Sequence, residues 1–249
     1  MPAGPWAQDG ARVRFGWGPT ELAVLLDGID GPSVVVVVDV LSFSTAVVAA
    51  VDAGVAVQPV PYRPQEPLEV PSGTVLAGPR GDGRVSLSPA SMTALPEGTR
   101  VVLPSPNGAT ICAAAADRGA LVLAGSLRNG TAVATDVRLR LERDPACTVV
   151  VIAAGERWPD GGLRPALEDL AGAALVLAGL PSDLMSPEAR VAASTRIDRV
   201  DLEGCASARE LVLAGHGHDV TVALERDASR SVPTLLDGWF SLRSEPGRG

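Results

Sequence analysis

The sequence contains no lysine, so all 21 of its basic residues are arginine. Walker-type phosphate loops, Schiff-base enzymes and lysine general bases all need a lysine amine, and their absence follows directly. Cysteine is also scarce: Cys112, Cys147 and Cys205 lie far apart in the chain. This spacing excludes a disulfide framework and a CxxC metal site.

Basic clusters and long apolar runs are missing as well. The net charge is -8 and no stretch concentrates positive charge, so we expect no nucleic-acid surface. No apolar run is long enough to span a bilayer and the amino terminus lacks a signal-peptide core, which predicts a cytoplasmic protein that binds no membrane. An acidic protein can still hold a small anion, but only through a helix N-terminus, an arginine or a divalent metal.

The chain is long and apolar enough to build a large core. It has 249 residues, of which 46% are hydrophobic. This favours a soluble globular enzyme with a single α/β domain over residues 1–249, and a division into two similar lobes at about 20–98 and 99–240 is the alternative. A homo-oligomer is compatible with such a chain, but no segment indicates an interface.

Five consecutive valines, Val34 to Val38, end in Asp39. A β-branched run of this kind is typical of a strand buried on both faces, as in a parallel sheet. Asp39 would then lie at the carboxyl end of a central strand, where open α/β sheets bind their ligands. A buried acid at this point needs a partner.

Strands and helices alternate along the chain, which predicts a layered α/β/α fold with a mostly parallel sheet. The segment 100–125 matches the segment 35–60 at an offset of 65 residues, pairing Thr45 with Thr110 and Gly54 with Gly119. A duplicated β-turn-α-β unit explains this match. The shared preference of strands for valine and of helix ends for glycine explains it equally well. The five prolines between Pro59 and Pro71 predict a stretch without regular structure.

Carboxylates gather where predicted strands meet helices. They are Asp39, Glu156 after the predicted strand VVVIAAG, and Glu168 with Asp169 at the next helix start. Such hard oxygen ligands suit Mg²⁺, which binds one or two carboxylates together with phosphate oxygens and water. Ordinary helix caps or solvated carboxylates are the alternative.

Two polar turns precede helices and can hold an anion at the helix N-terminus. The first contains Ser44 and Thr45, and the second contains Asn107 and Gly108. Ordinary N-capping is the alternative interpretation. Arg80 lies in a glycine-rich loop, which we interpret as a lid or wall of the site, and is a candidate ligand of phosphate.

Other chemistries fit less well. His216 and His218 are more typical of a polar loop than of a metal site, and no Ser-His-Asp pattern is visible. Haloacid-dehalogenase phosphatases carry Asp-x-Asp after the first strand, whereas this chain has Leu41 at the second position. The Gly-x-Gly-x-x-Gly fingerprint of dinucleotide binding is absent after the first strand.

Several segments together resemble the 2-phosphosulfolactate phosphatase family, from Val34 to Gly238. They are DVLSFSTAV, LPSPNGATI, GSLRN, AAGERWPDGGLRPALEDLAGAA, CASARELVLAGHGHDV and VPTLLDG. The resemblance implies an α/β enzyme that hydrolyses 2-phosphosulfolactate to 3-sulfolactate with Mg²⁺, a step of coenzyme M biosynthesis. The residues that fall in the family's motifs are Asp39, Ser44, Thr45, Asn107, Gly108, Asn129, Glu168 and Asp169.

From these matches we assign roles on physical grounds. Asp39 together with Glu168 or Asp169 would hold Mg²⁺, which activates water. The hydroxyl and amide groups, Asn129 among them, would position the phosphate oxygens, while Arg80 would neutralise charge. Asp39 as a covalent nucleophile is an alternative mechanism.

The chain also departs from the family's pattern. Ser42 and Phe43 replace an Arg-Ala pair, and Pro79 and Leu87 replace a glutamate and an asparagine. The site therefore has one positive charge fewer than the family's pattern, which affects the choice of substrate more than the membership of the family. A non-catalytic binding protein that keeps the fold is therefore the second hypothesis.

Overall fold

The computed structural model describes residues 4–62, 68, 70–82 and 84–242. Within these residues the chain forms eleven β-strands. They are β1 (Val13–Trp17), β2 (Ser33–Val38), β3 (Ala56–Pro61), β4 (Val75–Leu76), β5 (Arg100–Ser105), β6 (Leu121–Gly125), β7 (Thr148–Ala153), β8 (Glu156–Arg157), β9 (Leu163–Arg164), β10 (Thr234–Leu236) and β11 (Trp239–Ser241).

Nine of the strands form one sheet in the order β1-β7-β2-β6-β10-β11-β3-β5-β4. The pairs β1·β7, β7·β2, β2·β6, β3·β5 and β5·β4 are parallel, while the β10–β11 hairpin is antiparallel to both of its neighbours. Strands β8 and β9 pair separately. The prediction of a mostly parallel sheet is confirmed.

Ten α-helices cover the sheet in the described part of the chain. They are α1 (Gly18–Leu25), α2 (Phe43–Asp52), α3 (Pro89–Thr93), α4 (Gly108–Ala116), α5 (Gly130–Arg143), α6 (Leu167–Ala178), α7 (Pro187–Ser194), α8 (Arg199–Gly204), α9 (Ala206–Leu213) and α10 (Gly217–Ala223). Residues from α1 to α4 pack on one face, and residues from α5 to α10 pack on the other. The layered α/β/α prediction is therefore also confirmed.

The valine run explains why β2 is central. Val34, Val36 and Val38 belong to one apolar core, whereas Val35 and Val37 belong to the core on the opposite face. Successive side chains of a strand point to opposite faces, so an uninterrupted apolar run suits a strand covered on both sides. Strand β2 accordingly pairs with β7 and β6 and places Asp39 just beyond its end.

The two matching segments both fold as strand, helix and strand, namely β2-α2-β3 and β5-α4-β6. Each helix is followed by a glycine in the left-handed region, Gly54 with φ 73° and Gly119 with φ 74°. Glycine ends helices in this conformation without a steric penalty. Both units belong to the same sheet, and their origin by duplication and the two-lobe division stay predictions.

The prediction of no regular structure from Pro59 to Pro71 is wrong for Pro59 and Pro61, which lie in β3. Residues 63–67 and 69 of that stretch lie outside the described residues. The N–H groups of Ala56 and Tyr62 point towards β5, so the backbone nitrogens at the odd-numbered positions of β3 point to its opposite side. On that side β11 pairs with β3 at Val57. The prolines thus occupy positions where the ladder requires no donor.

Within the described residues, no helix has both the length and the apolar character needed to cross a membrane.

Candidate active site

Asp39 lies where the end of β2 meets the starts of two helices. Its Oδ1 accepts the N–H of Phe43 over 3.2 Å and its Oδ2 accepts the N–H of Gly108 over 2.9 Å. These donors are the first residues of α2 and α4. The carboxylate is only 7% exposed and is held by two helix N-termini, where negative charge is favoured.

Ser44 and Thr45 build the turn between β2 and α2. The Ser44 hydroxyl accepts the N–H of Asp39 over 3.0 Å and donates to the Val37 carbonyl, while the Thr45 hydroxyl donates to the Val40 carbonyl over 2.7 Å. Both side chains are fully buried. Their hydroxyl groups fix the backbone on either side of Asp39.

Asp169 connects the ends of two neighbouring strands, β2 and β7. Its Oδ1 accepts the N–H of Val40 over 2.7 Å and its Oδ2 accepts the N–H of Gly155 over 2.9 Å. Val40 follows β2 and Gly155 follows β7. Asp169 therefore fixes the strand ends that carry Asp39 and Glu156.

Glu168, the neighbour of Asp169 in the first turn of α6, is 2% exposed. The thiol of Cys205 donates to its Oε2 over 3.3 Å. Burial and the negative charge of Glu168 raise the pKa of Cys205 to about 11, so the cysteine remains a neutral donor.

Asn107 precedes α4 and donates from Nδ2 to Glu156 Oε2 over 2.9 Å. Gly108, the next residue, binds Asp39. One turn thus connects both carboxylates.

Three carboxylates of the site have raised pKa values. Burial raises the pKa of Asp39 to about 6, against the hydrogen bonds from Phe43 and Gly108, and the negative charge of Glu168 adds to the increase. Burial and then the charges of Asp39 and Glu168 raise the pKa of Glu156 to about 7. The same three causes hold the pKa of Asp169 well above its usual range. The site is therefore electrostatically suited to a cation.

Arg80 reaches the site from the glycine-rich loop and is already paired. Its Nε lies 3.1 Å from Asp219 Oδ2, and its Nη2 donates to Ser42 Oγ over 2.5 Å. Ser88 donates to the other oxygen of Asp219 over 2.5 Å. These bonds hold the loop against α10 and place the guanidinium beside the β2–α2 turn.

A cleft of about 630 Å³ opens next to these residues and is lined by Arg80 and Glu156. Leu41, Leu87 and Leu103 form part of its wall, and α9 closes the other side through Leu211. We call this space the Glu156 cleft.

Asn129 is fully buried in the turn before α5. Its Oδ1 accepts the N–H of Ser126 over 2.8 Å, and its Nδ2 donates to the carbonyls of Ala124 and Ser231. These contacts fix the end of β6. The structure thus brings Asp39, Asn107, Gly108, Glu168 and Asp169 together at the carboxyl ends of the parallel strands. The polar atoms of Asn129 instead contact its own turn and the segment before β10.

Two residues of the site lacked a clear sequence signal. The sequence marks Glu156 only as one of several carboxylates, although in the structure it is bonded to Asn107 and lines the cleft. Asp219, the partner of Arg80, lies 139 residues further along the chain. The prediction of a polar loop around the histidines is wrong for His218, which lies with Asp219 in α10. His216, the residue before α10, lines the Glu156 cleft.

Comparison with known proteins identifies a family for this chain. A family model described as 2-phosphosulpholactate phosphatase matches residues 24–238, which is most of the chain. No curated protein matches the sequence.

Proposed function

This chain belongs to the 2-phosphosulpholactate phosphatase family, and we propose that it hydrolyses the phosphate monoester of a small phosphorylated acid with Mg²⁺. The members of such a family are phosphoric monoester hydrolases and act on phosphorylated substrates. The proposal is carried by one observation: Asp39 binds Gly108 at the start of α4, while the adjacent Asn107 binds Glu156. 2-Phosphosulfolactate, whose hydrolysis gives 3-sulfolactate, is the first ester to test.

The carboxylates fit a magnesium ion in number and chemistry. Within the described residues, no three His, Cys, Asp or Glu side chains form a complete metal cluster. Mg²⁺, however, typically takes one or two carboxylates and fills its other positions with water and phosphate oxygens. Asp39 and Glu168 would hold it, because the charge of Glu168 already raises the pKa of Asp39. Asp169 bonds the N–H groups of Val40 and Gly155 and so connects the ends of β2 and β7, which supports a positioning role.

Bound Mg²⁺ would polarise the phosphoryl group and lower the pKa of a water. In the overall reaction, a water oxygen adds to phosphorus, the bond from phosphorus to the ester oxygen breaks, and that oxygen takes up a proton.

Glu156 is the residue that we assign to this proton transfer. It lines the cleft, Asn107 fixes its Oε2, and burial raises its pKa, to about 7 in the metal-free protein. A general acid works best with a pKa near the working pH. Glu156 would give its proton to the leaving alcohol oxygen.

Positive charge for the phosphate comes from two further sources. Arg80 can direct its guanidinium at phosphate oxygens while Asp219 holds its Nε. The N-termini of α2 and α4 point at the same place as they bind Asp39, and helix N-termini favour anions.

Phosphate release from 2-phosphosulfolactate and other phosphorylated acids, measured with MgCl₂ and with EDTA, tests the proposal. We expect Mg²⁺-dependent turnover that Asp39→Asn lowers on the order of 100-fold or more. Asp117→Asn, an exposed position after α4, is the matched control. Calorimetric titration with Mg²⁺ should show weaker binding to Asp39→Asn and unchanged binding to the control.

The non-catalytic alternative makes the opposite prediction. No ester would be turned over faster by the native chain than by Asp39→Asn, while phosphorylated acids would still raise the unfolding temperature without Mg²⁺. That result would replace the phosphatase by a binding protein.

A further inference from the structure

The Glu156 cleft is mainly apolar beyond its polar end. Arg80 and Glu156 mark the end next to Asp39, and the walls are formed by Leu41, Leu87, Leu103 and Pro104. Tyr62 stands at the cleft with 55% of its surface exposed. A ligand pocket of this kind binds an apolar body and orients it through a few polar groups.

The charges of the cleft do not favour a second anionic group. Among the described lining residues, the basic side chains are Arg80 and His216, and Glu156 and Glu210 are both acidic. Arg80 is paired with Asp219, and the nearest cation to Glu210 is Arg164, at 3.4 Å. Each of these arginines therefore already faces a carboxylate.

The residues after Asp39 supply no additional cation. Ser42 is 4% exposed and its hydroxyl accepts a hydrogen bond from Arg80. The ring of Phe43 is buried and packs edge-on against Phe240. An anion placed along the leucine and proline wall would lose its hydration without gaining a partner, which is costly.

We infer that the substrate of this site is a phosphate monoester that carries an apolar substituent in the position that the sulfonate of 2-phosphosulfolactate would take. The inference rests on the proposed phosphatase function and narrows its substrate class. The phosphate would lie at Asp39 and Arg80, and the apolar group would fill the space between Leu41, Leu103 and Leu211. Burying that group removes apolar surface from water, which is the main gain available in this cleft.

Two esters that differ only in that substituent test the inference. In 2-phosphooxy-3-phenylpropanoate a phenyl group replaces the sulfonate of 2-phosphosulfolactate, while the phosphate and the carboxylate stay the same. We expect kcat/KM for the phenyl ester to exceed that for the sulfonate ester by about tenfold or more, within the range of apolar-pocket discrimination. An equal value or a preference for the sulfonate would overturn the inference and leave the phosphatase function intact.

Variants of α9 and its end provide the second arm. Ala214 is exposed and lines the cleft, so Ala214→Arg adds a cation there without disturbing the core. This change should shift the kcat/KM ratio about tenfold towards the sulfonate ester. Leu213→Arg, at an 84% exposed neighbouring position that does not line the cleft, should leave the ratio unchanged. Equal shifts in both variants would contradict the inference.

If neither ester is hydrolysed, the phosphatase proposal fails and binding decides the inference. Calorimetric titration with each ester then supports it when the phenyl ester binds more tightly, and overturns it when the sulfonate ester does.

Discussion

The backbone N–H of Gly108 donates to Asp39 Oδ2 over 2.9 Å and so joins the start of α4 to the end of β2. The two residues are 69 positions apart in the sequence. The bond aligns the positive end of the α4 dipole with the Asp39 carboxylate. It also leaves no room for a side chain at position 108.

Gly108→Ala should damage the site directly. A Cβ at this position would lie 2.2 Å from the Phe43 ring and 2.8 Å from Asp39 Oδ2. Overpacking of this kind costs about 1–3 kcal/mol, and relief of the clash must displace either the ring or the carboxylate. We expect a lower unfolding temperature and kcat reduced by about tenfold or more. Gly204→Ala, where a Cβ meets nothing within 4 Å, should behave as the native chain.

Glu156→Gln should separate esters by the quality of their leaving group. Gln can still accept the Asn107 hydrogen bond but cannot donate a carboxylic proton. We expect kcat for alkyl phosphates to fall about 10²-fold or more, while p-nitrophenyl phosphate, whose leaving group needs no proton, loses much less. The matched control is Glu210→Gln in the same cleft. Equal losses on both kinds of ester would remove Glu156 from the acid role.

The stability of the metal-free protein should depend on pH through Glu156. Its pKa rises from the ordinary 4.5 to about 7 on folding, so the native state binds more protons than the unfolded state between these values. The contribution of this group is then full below pH 4.5 and is lost as the pH rises through 7. The loss is at most roughly 3 kcal/mol.

Denaturant unfolding of the native chain and Glu156→Gln at pH 5 and pH 8, in EDTA, checks this. The free energy of unfolding of the variant minus that of the native chain should be larger at pH 8 than at pH 5. A difference that does not change with pH would show that burial of Glu156 carries no ionisation penalty.

Arg80→Gln should affect substrate binding more than folding: KM should rise, while the free energy of unfolding should change little. The guanidinium is partly exposed, and its loss leaves Ser88 still bonded to Asp219. A charged hydrogen bond to phosphate contributes about 1.5–3 kcal/mol, so kcat/KM should fall about 10- to 100-fold. Arg84→Gln, an exposed arginine of the same loop, is the control for net charge. An unchanged KM in Arg80→Gln would mean that Arg80 only fastens the loop.

The sequence was informative where one physical requirement dominated. Five valines require a strand covered on both faces, and an acid directly after them requires partners. Together these requirements place Asp39 at the carboxyl end of β2. Glu168 and Asp169 were placed correctly in the first turn of a helix. These inferences depend only on residues adjacent in the chain.

Contacts between distant segments could not be predicted in the same way. Nothing near Asp219 indicates that it holds Arg80, because that pair forms only when α10 packs against the glycine-rich loop. The prediction for Pro59 was wrong because its nitrogen points away from β5, to the side where β11 pairs with β3 at Val57 only. Asn129 has the right chemistry for a ligand, but its amide is bonded to backbone groups of its own turn and of Ser231.

The β10–β11 hairpin has a consequence for how the protein is made. It stands between β6 and β3 and so joins the block that carries Asp39 to the block that ends in Asn107 and Gly108. Among the described strands, β10 and β11 come last in the chain and leave the ribosome after the other nine. The sheet is therefore closed only after its other seven strands have been made, and a nascent chain without the hairpin lacks the continuous row of strand ends at which Asp39 and Gly108 meet.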